Sequence, residues 1–248
     1  MNNLSAQYQD LYEKKEFING NDTLRYRILY PVNYSANKKY PLVVFLHGSG
    51  ERGDDNEAQL THGGKLFADS ALRQQFPAIV VFPQCGRNDF WARLGRDPNK
   101  KDSLGQFTFQ SDQPMGKGLD LVSRLCDSLV ATKTVNTKKI YLGGLSMGGM
   151  GTFELLWRKP KFFAAAFPIC GGGDPQKVTV YGEHFPIWIF HGDSDQSVPV
   201  GNSRLMNKVL NEAGANVKYS EYPGVGHNSW DNAFAEPELL PWLFKQRK

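Results

Sequence analysis

The sequence predicts an α/β fold: a single domain on a mostly parallel sheet, with an antiparallel hairpin at its N-terminal end and helices on both faces. Three observations carry this. Short continuous apolar runs, such as Pro41-Leu42-Val43-Val44-Phe45-Leu46, read as strands buried on both faces. These runs alternate with segments of helical period, the pattern of successive βα units. Glycine-rich turns close the strands and open the helices, most densely in Gly143-Gly144-Leu145-Ser146-Met147-Gly148-Gly149-Met150-Gly151.

Taken in order, residues 14–30 alternate around the turn-prone pair Asn19-Gly20 and read as the hairpin, with Leu24, Tyr26, Ile28 and Tyr30 on one face. A polar loop leads to the apolar run at 41–46, which ends in His47-Gly48-Ser49-Gly50. A helical stretch at 56–75 is interrupted at Gly63-Gly64, and a second buried strand at 78–82 ends at Pro83. Residues 86–116 are long, polar and without period, as expected of a functional or mobile loop. A helix at 118–131 places Leu119, Val122, Leu125, Cys126 and Leu129 on one side. The strand before Ser146 and the helix after it, to Pro160, follow. Strands at 162–170, 186–190 and 217–222 remain, with a helix at 201–213 and a closing helix at 233–245 interrupted by prolines. No repeat or interdomain linker is visible, so residues 1–248 read as one domain.

The 248 residues suffice for one large core, and 40% hydrophobic with 22% charged residues is ordinary for a globular protein. A net charge of +4 with scattered Lys and Arg gives no case for nucleic acid. No run approaches the ~18 apolar residues of a membrane span. The start, Met1-Asn2-Asn3-Leu4-Ser5, lacks a signal-peptide pattern, which fits a cytoplasmic protein or one whose leader was removed. Cys85, Cys126 and Cys170 lack metal-ligand spacing. Cys85 and Cys170 each follow a strand and could be neighbours, but free buried thiols are the expectation.

In open α/β sheets ligands bind at the carboxyl ends of the strands. Those ends carry His47 to Gly50, Cys85, Ser146, Gly171 to Asp174, Asp193, Asp195 and His227. Gly144-x-Ser146-x-Gly148 between a strand and a helix is the pattern of a nucleophile elbow. A serine hydroxyl needs a base, and the base needs a carboxylate to fix its tautomer. Ser146, Asp195 and His227 supply these in the chain order expected of an elbow enzyme. Asp193 and Asp174 compete for the acid. Asp195 is preferred because Gln196-Ser197-Val198-Pro199 turns the chain away directly after it, leaving Asp193 to bond loop backbone. Of the five histidines, His191 precedes Gly192 and is expected to order that turn, while His227 sits in a turn after the last strand. Gly48-Ser49-Gly50-Glu51-Arg52-Gly53 spells a dinucleotide fingerprint, but Asp54, Asp55 and a delayed helix argue against a pyrophosphate there. The loop better offers the Ser49 N–H to a developing oxyanion, with Met147 N–H as second donor.

Four segments together resemble the α/β-hydrolase superfamily: Leu46-His47-Gly48-Ser49-Gly50-Glu51, Gly144-Leu145-Ser146-Met147-Gly148-Gly149, His191-Gly192-Asp193-Ser194-Asp195 with Val198-Pro199, and Gly226-His227-Asn228-Ser229-Trp230. More narrowly the chain resembles the esterase, dienelactone-hydrolase and predicted-peptidase group that includes feruloyl and acetyl-xylan esterases. The resemblance implies a serine carboxylesterase working through an acyl-enzyme, on a small-molecule or carbohydrate ester, with no cofactor or metal. It lacks a large cap, leaving 86–116 as the candidate lid, and lacks the propeller of the prolyl-oligopeptidase relatives. Trp91 and Trp230 are candidates for an aromatic pocket wall suited to a sugar ring or a phenolic acyl group. Arg87, Arg93, Arg96, Lys100 and Lys101 are largely offset by Asp89, Asp97 and Asp102, which suggests a solvated loop surface. A serine peptidase with the same triad and a non-catalytic carbohydrate-binding module are the alternatives.

Overall fold

The computed structural model describes residues 8–99 and 104–248; residues 1–5 and Lys100, Lys101 and Asp102, for which the sequence sets expectations, lie outside them. β1 (Glu13–Asn19) and β2 (Asp22–Leu29) form the hairpin, turning at Gly20 with a φ of 62°. β3 (Tyr40–Leu46) is followed by 3-10 turns at Ser49–Glu51 and Ala58–Leu60, then by α1 (Gly64–Ala68), α2 (Ser70–Gln75) and β4 (Ile79–Pro83). β5 (Leu94–Arg96) and β6 (Phe107–Phe109) pair with each other, and α3 (Lys117–Ala131) leads to β7 (Val135–Leu145). α4 (Met147–Arg158), β8 (Ala165–Ile169), β9 (Pro186–Gly192), α5 (Gly201–Glu212) and β10 (Asn216–Tyr222) continue the alternation. α6 (Trp230–Ala235) and α7 (Leu239–Lys245) close it.

The main sheet has the order β1-β2-β4-β3-β7-β8-β9-β10. β1, β2 and β4 join antiparallel, and every other neighbouring pair is parallel. Successive side chains of a strand point to opposite faces, so β3 feeds two cores. Leu42, Val44 and Leu46 join Leu119, Val122, Phe153, Leu156 and Leu210 under α3, α4 and α5. Val43 and Phe45 join Phe67, Ala233, Leu239 and Leu243 under α1, α6 and α7. Leu24 and Ile28 of the hairpin bury on the α3 side, with Tyr26 and Tyr30 packed beside them.

The interruptions expected at Gly63-Gly64 and at the C-terminal prolines are present, and the 86–116 segment differs from expectation. The 56–75 helical stretch is broken into a 3-10 turn and two short helices. Gly63, at φ 83°, ends the first piece, and the Asp69 carboxylate caps α2 by accepting from Ala71 and Leu72 N–H at 3.0 Å. The closing helix is two helices, because Pro237 holds Glu236 extended at ψ 111°. The 86–116 segment contains the β5–β6 hairpin, whose Leu94, Phe107 and Phe109 pack on a cluster of Ala92, Met150 and Val198. Arg87 pairs with Asp54, Arg93 donates to Pro114 O, and the Arg96 guanidinium lies 5.7 Å from the Phe107 ring, so these cations have partners.

Candidate active site

Ser146 stands between β7 and α4 at φ 54°, ψ −118°, a region side chains disfavour. Its N–H donates to Ile169 O at 2.8 Å, pinning the turn to the end of β8. Close passage of three backbone segments sets the sequence here. A Cβ on Gly148 would lie 1.9 Å from Leu46 O, and one on Gly144 2.3 Å from Gly148 O. The turn lifts Ser146 above the sheet with 8% exposure.

His227 Nε2 lies 2.9 Å from Ser146 Oγ, and His227 Nδ1 lies 2.7 Å from Asp195 Oδ2. A carboxylate only accepts, so Nδ1 carries the ring proton and Nε2 is left to accept from the serine. Asp195 Oδ1 accepts from Ser197 and Val198 N–H at 2.8 and 2.9 Å. Burial alone raises a carboxyl's pKa; here hydrogen bonds from His191, His227 and Val198 outweigh it and hold Asp195 well below the usual carboxylate range. Asp193 accepts from Gly224 N–H at 2.7 Å, tying the acid loop to the histidine loop. Ser194 N–H to Val225 O, at 3.0 Å, is a second tie between them.

Met147 is the first residue of α4, so no carbonyl one turn earlier can take its N–H. Ser49 opens the 3-10 turn after β3. The Cβ position of its neighbour Gly48 is 3.7 Å from Ser146 Cβ, so this loop lies alongside the serine. The fingerprint-like loop enters no helix; the next α-helix begins at Gly64, which removes the dinucleotide geometry.

Trp91 does not form the pocket wall. It is fully buried, donates from Nε1 to His47 O at 3.0 Å, and packs over Gly151, where an added Cβ would meet its Cβ at 2.4 Å. A flat ring that fills the gap over a glycine on α4 and finds a partner for its N–H belongs to the core. Trp230 is at the site: its ring meets His227 edge-on, with centroids 5.4 Å apart. The His62 ring also lies 4.8 Å from that of Trp230, and His62 Nε2 is 3.6 Å from Glu51 Oε1. His62 and Trp230, with Leu66, Leu72 and Phe234, line an open cleft of about 520 Å³. Glu51 and His62 were not singled out by sequence, since nothing local links residues on opposite sides of a polar loop.

His47 is a buried structural histidine. Its Nε2 accepts from Cys85 N–H at 2.9 Å, so Nδ1 carries the proton and donates to Gly48 O at 2.6 Å. Burial lowers its pKa from 6.5 to about 4. The unfolded chain therefore takes up this proton first as pH falls. His47 stabilises the fold fully above about pH 6.5, and the contribution drains away down to about pH 4. Urea unfolding is expected to show up to ~3 kcal/mol lost over that window, and less in His47→Gln, whose amide oxygen can still accept from Cys85. Equal losses in both proteins would contradict this; Asp195, held low, acts only below the window, and Glu154, which burial raises, gains rather than loses stability as pH falls and is common to both proteins.

Cys85, Cys126 and Cys170 are all free and buried. One potential ligand atom from each of Cys170, Asp195 and His227 lies within 4.8 Å of the others. Asp195 and His227 already bond each other, and burial pushes the Cys170 thiol far up, which disfavours the thiolate a metal requires. Among the described residues no helix is long and apolar enough to cross a membrane.

A serine, a histidine and a carboxylate chained by hydrogen bonds at the carboxyl ends of a mostly parallel sheet define the α/β-hydrolase class of protein. Residues 30–237 match the phospholipase/carboxylesterase family model, and the chain belongs to that family. It is 27% identical over 207 residues to a probable feruloyl esterase C of Aspergillus oryzae, covering 82% of this chain and 67% of that protein. It is 30% identical over 222 residues to acyl-protein thioesterase 1 of Neurospora crassa, covering 75% and 80%. A solved thermostable esterase superposes with a TM-score of 0.84 at 35% identity, covering 98% of this chain; the chain spans 64% of that structure's length.

Proposed function

We propose that the protein is a serine carboxylesterase. The observation that carries the reading is the hydrogen-bonded chain Ser146–His227–Asp195, with Ser146 held at a strained turn. His227 Nε2 takes the Ser146 proton as Oγ attacks the ester carbonyl, and the Ser49 and Met147 N–H groups stabilise the oxyanion. The imidazolium, its charge balanced by Asp195, returns the proton to the leaving alcohol as the C–O bond breaks. Water then attacks the acyl-enzyme with His227 again as base, releasing the acid and restoring Ser146. These steps use only side chains and backbone amides.

The substrate side is an acyl ester of a small alcohol or a carbohydrate, with acetyl and feruloyl esters of plant polysaccharide as the leading class. Two things support it: the aromatic edge of Trp230 beside His227, and the likeness to proteins named feruloyl esterase. The test is hydrolysis of p-nitrophenyl acetate and butyrate beside methyl ferulate, acetylated xylan and a chromogenic peptide panel. Ester turnover is expected; peptide cleavage without ester preference replaces it with the peptidase reading, and folded protein silent on every ester favours a binding module.

The acid is tested separately. Asp195→Asn is expected to lower kcat on the order of 10^3 to 10^4-fold, because an amide no longer fixes the His227 tautomer or balances the imidazolium. Asp193→Asn should fall less than about 10-fold, its carboxylate serving only to bond a loop amide and a serine hydroxyl. The reverse ranking in kcat would move the acid to Asp193.

A further inference from the structure

Asp195 faces two imidazoles, and the reaction above uses one. His191, on β9, is fully buried, and its Nε2 lies 3.1 Å from Asp195 Oδ2, the same oxygen that His227 Nδ1 approaches at 2.7 Å. The same Nε2 is 2.9 Å from Val198 O. Both neighbours are acceptors without protons, so Nε2 must carry one and share it between them. On the far side of the ring, Nδ1 lies 2.7 Å from Ser203 Oγ, which is itself 3.2 Å from Gly171 O. Ser203 has one hydroxyl proton for two acceptors. When it points to Nδ1, His191 is neutral; when it points to Gly171 O, Nδ1 must donate to Oγ and the ring is an imidazolium. In both states Nε2–H is aimed at Asp195.

We propose that His191 is a positioning residue of the active site, holding the acid by the oxygen that orients His227 and weakening the pull of that oxygen on the His227 proton. The proposal rests on the esterase reading, in which Asp195 is the acid. A carboxylate oxygen that accepts one N–H spreads its charge and attracts a second donor less. A charged His191 would act in the same direction, by repelling a protonated His227. Removing the donor therefore has one sign in either protonation state: His227 holds its proton to higher pH. The other groups around the pair do not compete for that role. Burial keeps the Cys170 thiol neutral. Glu221, opposite His191 on β10, is paired with Arg204 at 2.6 Å and held down to about 2. Asp193 bonds Ser194 and the Gly224 amide.

The experiment is kcat/KM for p-nitrophenyl acetate against pH in the wild type, His191→Leu and His191→Gln, with folding checked by circular dichroism at each pH. Leu removes the donor; the Gln side-chain amide can reach Asp195 as Nε2 does. The acid limb of the His191→Leu profile is expected to move up by about one pH unit, and that of His191→Gln to stay close to wild type. A His191→Leu profile with an unmoved limb, whether lowered uniformly or unchanged, overturns the proposal. So does a Gln variant shifted as far as Leu. Should His191→Leu not fold, a nitrogen–proton correlation spectrum of the wild-type imidazoles decides: a protonated His191 Nε2 at neutral pH, absent in His191→Gln, is required, and an unprotonated one overturns it. Ser146→Ala separates the two failures. Activity that survives there removes the reading of the site and this proposal with it, whereas Ser146-dependent activity with an unmoved limb removes the proposal alone.

Discussion

Ser146→Ala is expected to lower kcat for p-nitrophenyl acetate by at least about 10^4-fold, with a loss near 10^6-fold within reach of comparable nucleophile deletions. Without Oγ no acyl-enzyme can form, and His227 has no hydroxyl to deprotonate. What remains is the pair of amide donors and the binding surface, enough for a small acceleration over water. The folded state should tolerate the change. Serine and alanine both carry a Cβ, so the strain at φ 54° is not increased, and one partly buried hydrogen bond, about 1 kcal/mol, is lost. For a chain of this length that is a melting-temperature change of roughly 2–4 °C. Steady-state kinetics, melting and labelling with an active-site phosphonate check the prediction together. Wild-type turnover by the variant would exclude Ser146 as nucleophile, and a variant that is inactive because unfolded would reveal itself in the melt.

Much of this site is legible in the sequence because its parts obey local rules. The uninterrupted run before His47 reads as a strand buried on both faces, and glycines on either side of Ser146 read as a turn where backbones pass close. Asp195 and His227 each follow a parallel strand, and parallel strands deliver their ends to one edge. The illegible features are those set by contacts far along the chain. β5 and β6 are too short to show a period, and what fixes them is Met150 and Val198. By sequence Trp91 is a candidate pocket-wall residue in the long loop; its burial follows from Gly151 and the His47 carbonyl, neither near it in sequence. By sequence His191 is expected to order its own turn, and its Nε2 lies 2.9 Å from Val198 O. Its hold on Asp195 Oδ2 was invisible, since the ring's orientation is also fixed by Ser203, twelve residues on, against Gly171.

Gly148→Ala is expected to be the most damaging single-methyl change for stability. The added carbon would sit 1.9 Å from Leu46 O, 2.5 Å from Leu46 C and 2.7 Å from His47 O, all of them backbone. No rotamer can relieve such a contact. Either the end of β3 moves off the first turn of α4 or the helix start moves off the strand. Moving β3 breaks into a strand whose residues Leu42 to Leu46 are buried on both faces; moving α4 displaces Gly144, which is already in contact with Gly148 O. The cost should exceed ~4 kcal/mol, the range reserved for forced overpacking and strain, or a melting temperature lower by about 10 °C or more. Gly50→Ala in the neighbouring loop is the control. Nothing lies within 4 Å of its added carbon, so it should stay within about 0.5 kcal/mol of wild type. Thermal melts of the two variants decide the point, and a Gly148→Ala protein melting like Gly50→Ala would contradict the close approach of β3 and α4. The same displacement would shift the loop of Gly48 and Ser49, which lies alongside Ser146. Any folded remnant of Gly148→Ala should therefore lose kcat more than its folded fraction accounts for, if the Ser49 and Met147 amides serve as the oxyanion donors proposed above.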